Sequence, residues 1–112
     1  MMADIINWEE LDKITNCRRE LAREMLSMLA AELPERQAQI NAALATQNWR
    51  ELGEHIHKLH GSSAYCGTTQ LRDAAREFEA QLKQNNTENA EYYVTKINTH
   101  INDFLASWQH YE

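Results

Sequence analysis

A formal net charge of −6 over 112 residues makes nucleic acid an unfavourable partner, because phosphate backbones are bound by clustered lysine and arginine. Direct membrane contact is not expected either, since no stretch approaches the roughly 18 consecutive apolar residues of a membrane span. One proline and three glycines are too few for the frequent turns of an all-β fold, so we expect a single helical domain over residues 1–112.

The first two predicted helices differ in length. Asn7 begins the first, short helix as an N-cap, and Glu10 follows three residues later as in a capping box. The second helix starts near Arg18, and its apolar residues at helical spacing are Leu21, Met25, Met28 or Leu29, and Leu33. Pro34 then either kinks this helix or opens a new one at its first position, because proline lacks a backbone N–H and clashes with the preceding turn.

Three further helices follow, each with one apolar stripe and one polar face. Asn48, with Glu51 three residues later, is expected to cap the first of them. The stripes are Trp49, Leu52, Ile56, Leu59 and Ser63; then Leu71, Ala74 or Ala75, Phe78 and Leu82; then Ala90, Val94, Ile97, Ile101, Phe104 or Leu105, and Trp108. Short polar breaks make sequential helices antiparallel neighbours. The predicted fold class is therefore all-α: an up-down four-helix bundle with a short N-terminal helix and an additional helical segment before the Pro34 break.

One histidine of the third predicted helix occupies an unusual position. Ile56 and Leu59 belong to the apolar stripe, and His57 is rotated about 100° from Ile56, so it faces water at the edge of the core. The residues that share its helix face are Gly53, His60, Gly61 and Ala64. Two of the three glycines in the chain thus flank a single histidine.

The two glycines that flank His57 reduce the stability of the helix, so a functional reason for them is expected. A glycine inside a helix costs roughly 1 kcal/mol relative to alanine, so Gly53 and Gly61 give up a noticeable part of a small domain's stability. A bare helix face lets the backbone of another protein approach the imidazole of His57. Imidazole is a suitable nucleophile at physiological pH, because its neutral form is abundant and one ring nitrogen can attack while the other carries the proton.

The run His57-Lys58-Leu59-His60-Gly61-Ser62-Ser63 resembles the signature of histidine phosphotransfer (Hpt) domains, H-x-[LI]-K-G-[SA]-[SA]. The resemblance extends over essentially the whole chain and is nearest to the C-terminal Hpt domains of hybrid sensor kinases of the BarA/GacS type. It implies phosphotransfer in a two-component phosphorelay, with the phosphoryl group accepted from one receiver-domain aspartate and passed to another.

The resemblance also implies roles for individual residues. His57 matches the phosphorylated histidine, and His60 stands where the signature has a lysine that helps to hold the phosphoryl oxygens. Gly61 matches the glycine that admits the receiver, and Ser62 carries a hydroxyl that could contact phosphate. Glu79, on the next helix, matches a polar residue that orients the histidine ring, with the proton fixed on Nδ1 and Nε2 left as the nucleophile.

The remaining expectations concern the partners and the setting of the domain. Gly53, Ala64 and Lys58 are expected on the surface that meets a receiver, with Lys58 available to steer an acidic partner. No metal ligand or cofactor is expected in this chain, and Mg²⁺ is expected on the receiver. The domain is expected to be a cytoplasmic monomer without kinase activity of its own, either free or as the cytoplasmic C-terminal part of a membrane sensor kinase.

Two other functions stay open at this point. The chain could be a docking module that binds a receiver without transferring phosphate. It could also be a metal-binding helical bundle, because His57 and His60 have the i, i+3 spacing that places two imidazoles on one ion. His55 points to another helix face and is interpreted as an ordinary surface residue.

Overall fold

The computed structural model describes residues 5–110, and all regular structure in this part of the chain is helical. The elements in chain order are α1 (Trp8–Thr15), α2 (Arg19–Ala45), α3 (Trp49–Ala64), α4 (Thr69–Lys83), α5 (Ala90–Ser107) and a final 3₁₀ turn (Trp108–His110). The all-α prediction is confirmed.

Helices α2 to α5 form the predicted four-helix bundle. Helix α3 packs between α2 and α4, and α5 closes the bundle against α2 and α4. The connections at 46–48, 65–68 and 84–89 are short, so consecutive helices run antiparallel. The short helix α1 lies against α2 at one end.

The core is built from the predicted stripes. In α3 the buried residues are Leu52, Ile56, Leu59 and Ser63, in agreement with the sequence pattern. Phe78 of α4 and Phe104 of α5 are among the largest fully buried side chains. The predicted stripe of α2 is corrected: the buried residues before Pro34 are Ala22, Leu26, Leu29 and Leu33, whereas Leu21 and Met25 are only half-buried and Met28 is 70% exposed.

Pro34 lies inside one continuous helix. The segment before it is the N-terminal half of α2 and not a separate helical element, so of the two alternatives the structure excludes a new helix beginning at Pro34. Proline in a helix interior costs about 3 kcal/mol. The cost is tolerated because Pro34 is on the exposed face, while Leu33 before it and Ile40 after it are both fully buried on the same core. Burial of both halves keeps the helix in one piece.

The two predicted N-caps are present. The side chain of Asn7 accepts a hydrogen bond from the backbone N–H of Glu10 at 3.1 Å. Asn48 accepts from the backbone N–H of Glu51 at 3.2 Å, and its amide donates to the Glu51 carboxylate at 2.8 Å. These caps fix the first residues of α1 and α3.

The glycine of the α3–α4 connection holds α1 against the bundle. Gly67 has φ +67, and a Cβ placed on it would lie 2.9 Å from the carbonyl oxygen of Asn7 and 3.1 Å from Cβ of Leu11. The backbone N–H of Asn7 also donates to the carbonyl of Gly67 at 2.7 Å. Only a residue without a side chain permits this contact.

We therefore expect Gly67→Ala to destabilise the domain by about 2 kcal/mol, because the methyl group meets backbone and the left-handed conformation becomes strained. Gly53→Ala is the matched control. Nothing lies within 4 Å of a Cβ at Gly53, so this change should stabilise α3 by up to about 1 kcal/mol. Urea unfolding monitored by circular dichroism measures both, and equal midpoints for the two variants would contradict the assignment.

Candidate functional site

His57 lies on α3 at the boundary between α3 and α4. Its side chain is 73% exposed, while Ile56 beside it in sequence is fully buried. Nδ1 of His57 lies 2.5 Å from Oε2 of Glu79, which projects from α4. The structure thus brings together the histidine and the carboxylate that the family resemblance paired.

The same carboxylate also contacts a second histidine. Nδ1 of His60 lies 2.9 Å from Oε1 of Glu79, so each carboxylate oxygen meets one imidazole. An ionised carboxylate only accepts hydrogen bonds, so both rings carry their proton on Nδ1. In the neutral form of each ring, Nε2 is then unprotonated, and the highly exposed ring of His57 presents it to solvent.

The ionised state of Glu79 follows from its surroundings. Burial by itself raises the pKa of this carboxyl, but the hydrogen bonds from His60 and His57 and the charges of His57 and Lys83 lower it, and the net pKa lies below the ordinary value. A buried carboxylate with two donors is held as the anion at neutral pH. It is therefore a fixed acceptor for both imidazoles.

The helix face around His57 is open. A Cβ placed on Gly53 or on Gly61 would meet nothing within 4 Å. Lys58 is exposed and Ala64 is half-buried beside this face. The two glycines are not required by close packing within the chain, so what they provide is access to the imidazole from outside.

Ser62 lies on another side of α3. It is five residues after His57, which is about 140° around the helix, and its hydroxyl donates to Glu32 of α2 at 2.8 Å from Oε2. The structure therefore does not bring Ser62 together with His57 and Glu79. Its hydroxyl ties α3 to α2.

His55 is on the same α2-facing side and is not an ordinary surface residue. Its side chain is only 12% exposed, and Arg36 Nη1 lies 2.9 Å from its Nδ1. Because arginine only donates, Nδ1 of His55 is the acceptor. The interpretation of His55 as solvated surface was wrong because the position of α2 was not known from the periodicity of α3.

A basic residue that the sequence interpretation missed stands beside His57. Nζ of Lys83, at the end of α4, lies 3.7 Å from Oε2 of Glu79, the oxygen that also contacts His57. A groove of about 400 Å³ runs between α3 and α4 here, with Gly53, His57, Glu79 and Lys83 among its lining residues. The i, i+4 spacing of Glu79 and Lys83 was a signal that could have indicated this contact.

The metal-binding alternative has no donor set in the described part of the chain. Within residues 5–110, no group of three or more His, Cys, Asp or Glu side chains is arranged to hold a metal ion. His57 and His60 turn their Nδ1 atoms towards Glu79 and not towards a common open point. Cys66 is buried, and its burial and then the nearby Glu32 raise the pKa of its thiol to about 11, so it stays protonated.

Comparison with known proteins agrees with this geometry. The sequence model of the Hpt domain matches residues 24–107. The chain belongs to the Hpt domain family. The match extends from the second turn of α2 to the last residue of α5, so it includes most of α2 and all of α3, α4 and α5.

Two curated relatives and one solved structure are similar to this Hpt domain. It is 41% identical over 81 residues, 72% of this chain, to the sensor protein GacS of Pseudomonas syringae pv. syringae. It is 32% identical over 83 residues, 74% of this chain, to the signal transduction histidine-protein kinase BarA of Escherichia coli K12. The HPT domain of a Shewanella sensor hybrid histidine kinase superposes with a TM-score of 0.87 at 30% identity, over 95% of this chain and 92% of that one.

This Hpt domain is homologous to the phosphorelay domains of hybrid sensor kinases, which is consistent with histidine phosphotransfer in two-component signalling. The match spans only 9% of the length of GacS and of BarA. In residues 5–110 none of the helices combines the length and the apolar character that crossing a membrane requires.

The contact between Glu79 and the two histidines should appear in the pH dependence of stability. Because the pKa of Glu79 in the folded state is below its unfolded value, the carboxylate stabilises the domain above the unfolded pKa, and this contribution is lost as the pH falls through the folded pKa. We expect Glu79→Gln to lower the unfolding free energy by about 1–2 kcal/mol at pH 7 and by much less at pH 3.

Urea unfolding of both proteins at a series of pH values measures this difference. Glu77→Gln, a change of the same kind on the exposed face of α4, is the control. A difference between Glu79→Gln and the native chain that stays constant from pH 3 to pH 7 would contradict the ionised, double-acceptor role of Glu79.

Proposed function

We propose that His57 is the phosphoryl acceptor of this Hpt domain. It takes the group from a receiver-domain aspartyl phosphate and passes it to the aspartate of another receiver. The observation that carries the proposal is the imidazole itself: highly exposed, held at Nδ1 by Glu79, and flanked by two glycines with open space around them.

The bonds, electrons and protons of this transfer balance without a further reactant. The lone pair of His57 Nε2 forms a bond to phosphorus, while the bond between phosphorus and the aspartyl oxygen breaks and that carboxylate leaves with the electron pair. The ring becomes positively charged and keeps its proton on Nδ1. The reverse of the same step, onto the aspartate of a second receiver, returns the imidazole to its neutral form.

Glu79 supports this step by its position and its charge. It holds the proton on Nδ1 of His57, so that Nε2 is the free nitrogen, and it restricts rotation of the ring. Its negative charge also stabilises the imidazolium that forms when phosphorus is attached. His60, on the other carboxylate oxygen, keeps Glu79 in place.

The proposed partners are the receiver domain of a hybrid sensor kinase and the receiver domain of a response regulator. The open face of α3 around Gly53 and Gly61, with Lys58 and Ala64 beside it, is the proposed docking surface. A Mg²⁺ ion on the receiver would neutralise charge on the transferred group. We propose that the domain acts in the cytoplasm as a monomer, free or attached to a membrane sensor kinase.

The phosphoryl acceptor is tested by labelling with a phosphorylated receiver. We expect the native chain to acquire a label that is labile in acid and stable in alkali, and His57→Gln to acquire none, because the exposed Nε2 that attacks phosphorus is removed. His110→Gln, a change of the same kind in the distant 3₁₀ turn, should label normally.

Circular dichroism should show the same helix content in all three proteins, since the imidazole of His57 is mostly exposed. A label that persists in His57→Gln would overturn the assignment. Binding of the receiver to the native chain without any label would identify the domain as a docking module instead.

Access across Gly61 gives a second, independent test. Gly61→Leu should slow transfer from a phosphorylated receiver by about 100-fold or more, because the side chain occupies the space that the partner approaches. Loading by potassium phosphoramidate, a small donor, should change less than twofold, since the imidazole stays open to small molecules. Ala106→Leu, at an exposed position of α5, is the control for added bulk. Equal slowing with both donors would contradict the docking role of Gly61.

A further inference from the structure

A phosphoryl group on His57 introduces two negative charges onto a surface that already holds the anion of Glu79. Such a group is held best by a positive charge within hydrogen-bond reach. His60 is poorly placed to supply it: its Nδ1 proton is used by Glu79, and in the neutral ring Nε2 can only accept. A phosphoryl group on His57 therefore needs another cation in the groove beside it.

Three other cations of α2 and α3 are already engaged or point elsewhere. Nη1 of Arg50 lies 3.2 Å from Oε1 of Glu54, so the guanidinium of Arg50 is already paired with a carboxylate. Lys58 follows His57 directly, so it projects about 100° further around α3. Arg36 is on the α2 side, beside Glu32 and His55.

Lys83 is in a different situation. Its Nζ is 3.7 Å from Oε2 of Glu79, and that oxygen already accepts a shorter bond from His57. The ammonium and the imidazole are thus neighbours across one carboxylate oxygen. The lysine side chain is 73% exposed and lines the same groove as His57, so its flexible stem can move without disturbing the core.

We infer that Lys83 is a phosphoryl-binding residue, whose ammonium moves from the carboxylate of Glu79 to the phosphoryl oxygens on Nε2 of His57. This inference rests on the proposed function. The move is favourable because the ammonium exchanges a long contact with a shared carboxylate for a charge-assisted hydrogen bond to a doubly charged group. It places the positive charge of the site on α4 and not on α3.

The test uses the whole chain and potassium phosphoramidate as donor, so that no receiver contact contributes. The rate of loading is followed by ³¹P NMR for the native chain and for a graded series at one position. Lys83→Arg should load within about twofold of the native rate, Lys83→Gln about tenfold more slowly, and Lys83→Glu more slowly still, in the order of the charge that they present.

Lys13→Gln is the matched control. It removes the same charge from an equally exposed lysine, 77% exposed, whose partner is Glu9 on α1, and it should load at the native rate. Loading of Lys83→Gln at the native rate, or slowing of Lys13→Gln by the same factor, would overturn the inference while leaving His57 as acceptor. Failure of the native chain to load at all would instead overturn the proposed function.

Discussion

The site depends on one buried carboxylate that two helices share. Glu79 projects from α4 into the boundary with α3, where it is largely withdrawn from water and must find donors. His57 and His60, three residues apart on α3, supply one N–H to each oxygen. A single interaction therefore fixes the tautomer of both rings, keeps the carboxyl ionised and joins the two helices that form the groove.

The remaining polar contacts of α3 serve the fold more than the site. On the side that faces α2, Ser62 donates to Glu32, and His55 accepts from Arg36. On the side that faces α4 lies the carboxylate with its two imidazoles. Because α3 packs on both neighbours, its polar residues divide into a structural set and a set that leaves one ring nitrogen free. The buried stripe between these two sides keeps them apart.

The three glycines show where the chain gives up stability and where it gains contact. Gly53 and Gly61 occupy open helical positions in which alanine would fold better, so their cost is explained by access from outside. Gly67 is different: its left-handed backbone and its contact with Asn7 attach α1 to the bundle. The same residue type thus contributes to partner access in α3 and to packing in the connection that follows.

The sequence by itself determined the helical class, the apolar stripes and the Asn7 and Asn48 caps, because these depend on local spacing and local hydrogen bonds. It also placed His57 at the edge of the core, since rotation from Ile56 is a property of one helix.

Only the tertiary structure decided which side chains of the neighbouring helices lie opposite the polar residues of α3. Periodicity does not say which side chains of α2 and α4 face α3, so the sequence could not show Ser62 bonded to Glu32, His55 to Arg36, or Glu79 shared by His57 and His60. The tertiary structure also decided that α2 continues through Pro34, a residue that locally disfavours helix. Burial of Leu33 and Ile40 in one core is a tertiary effect, and it keeps the two halves of the helix together.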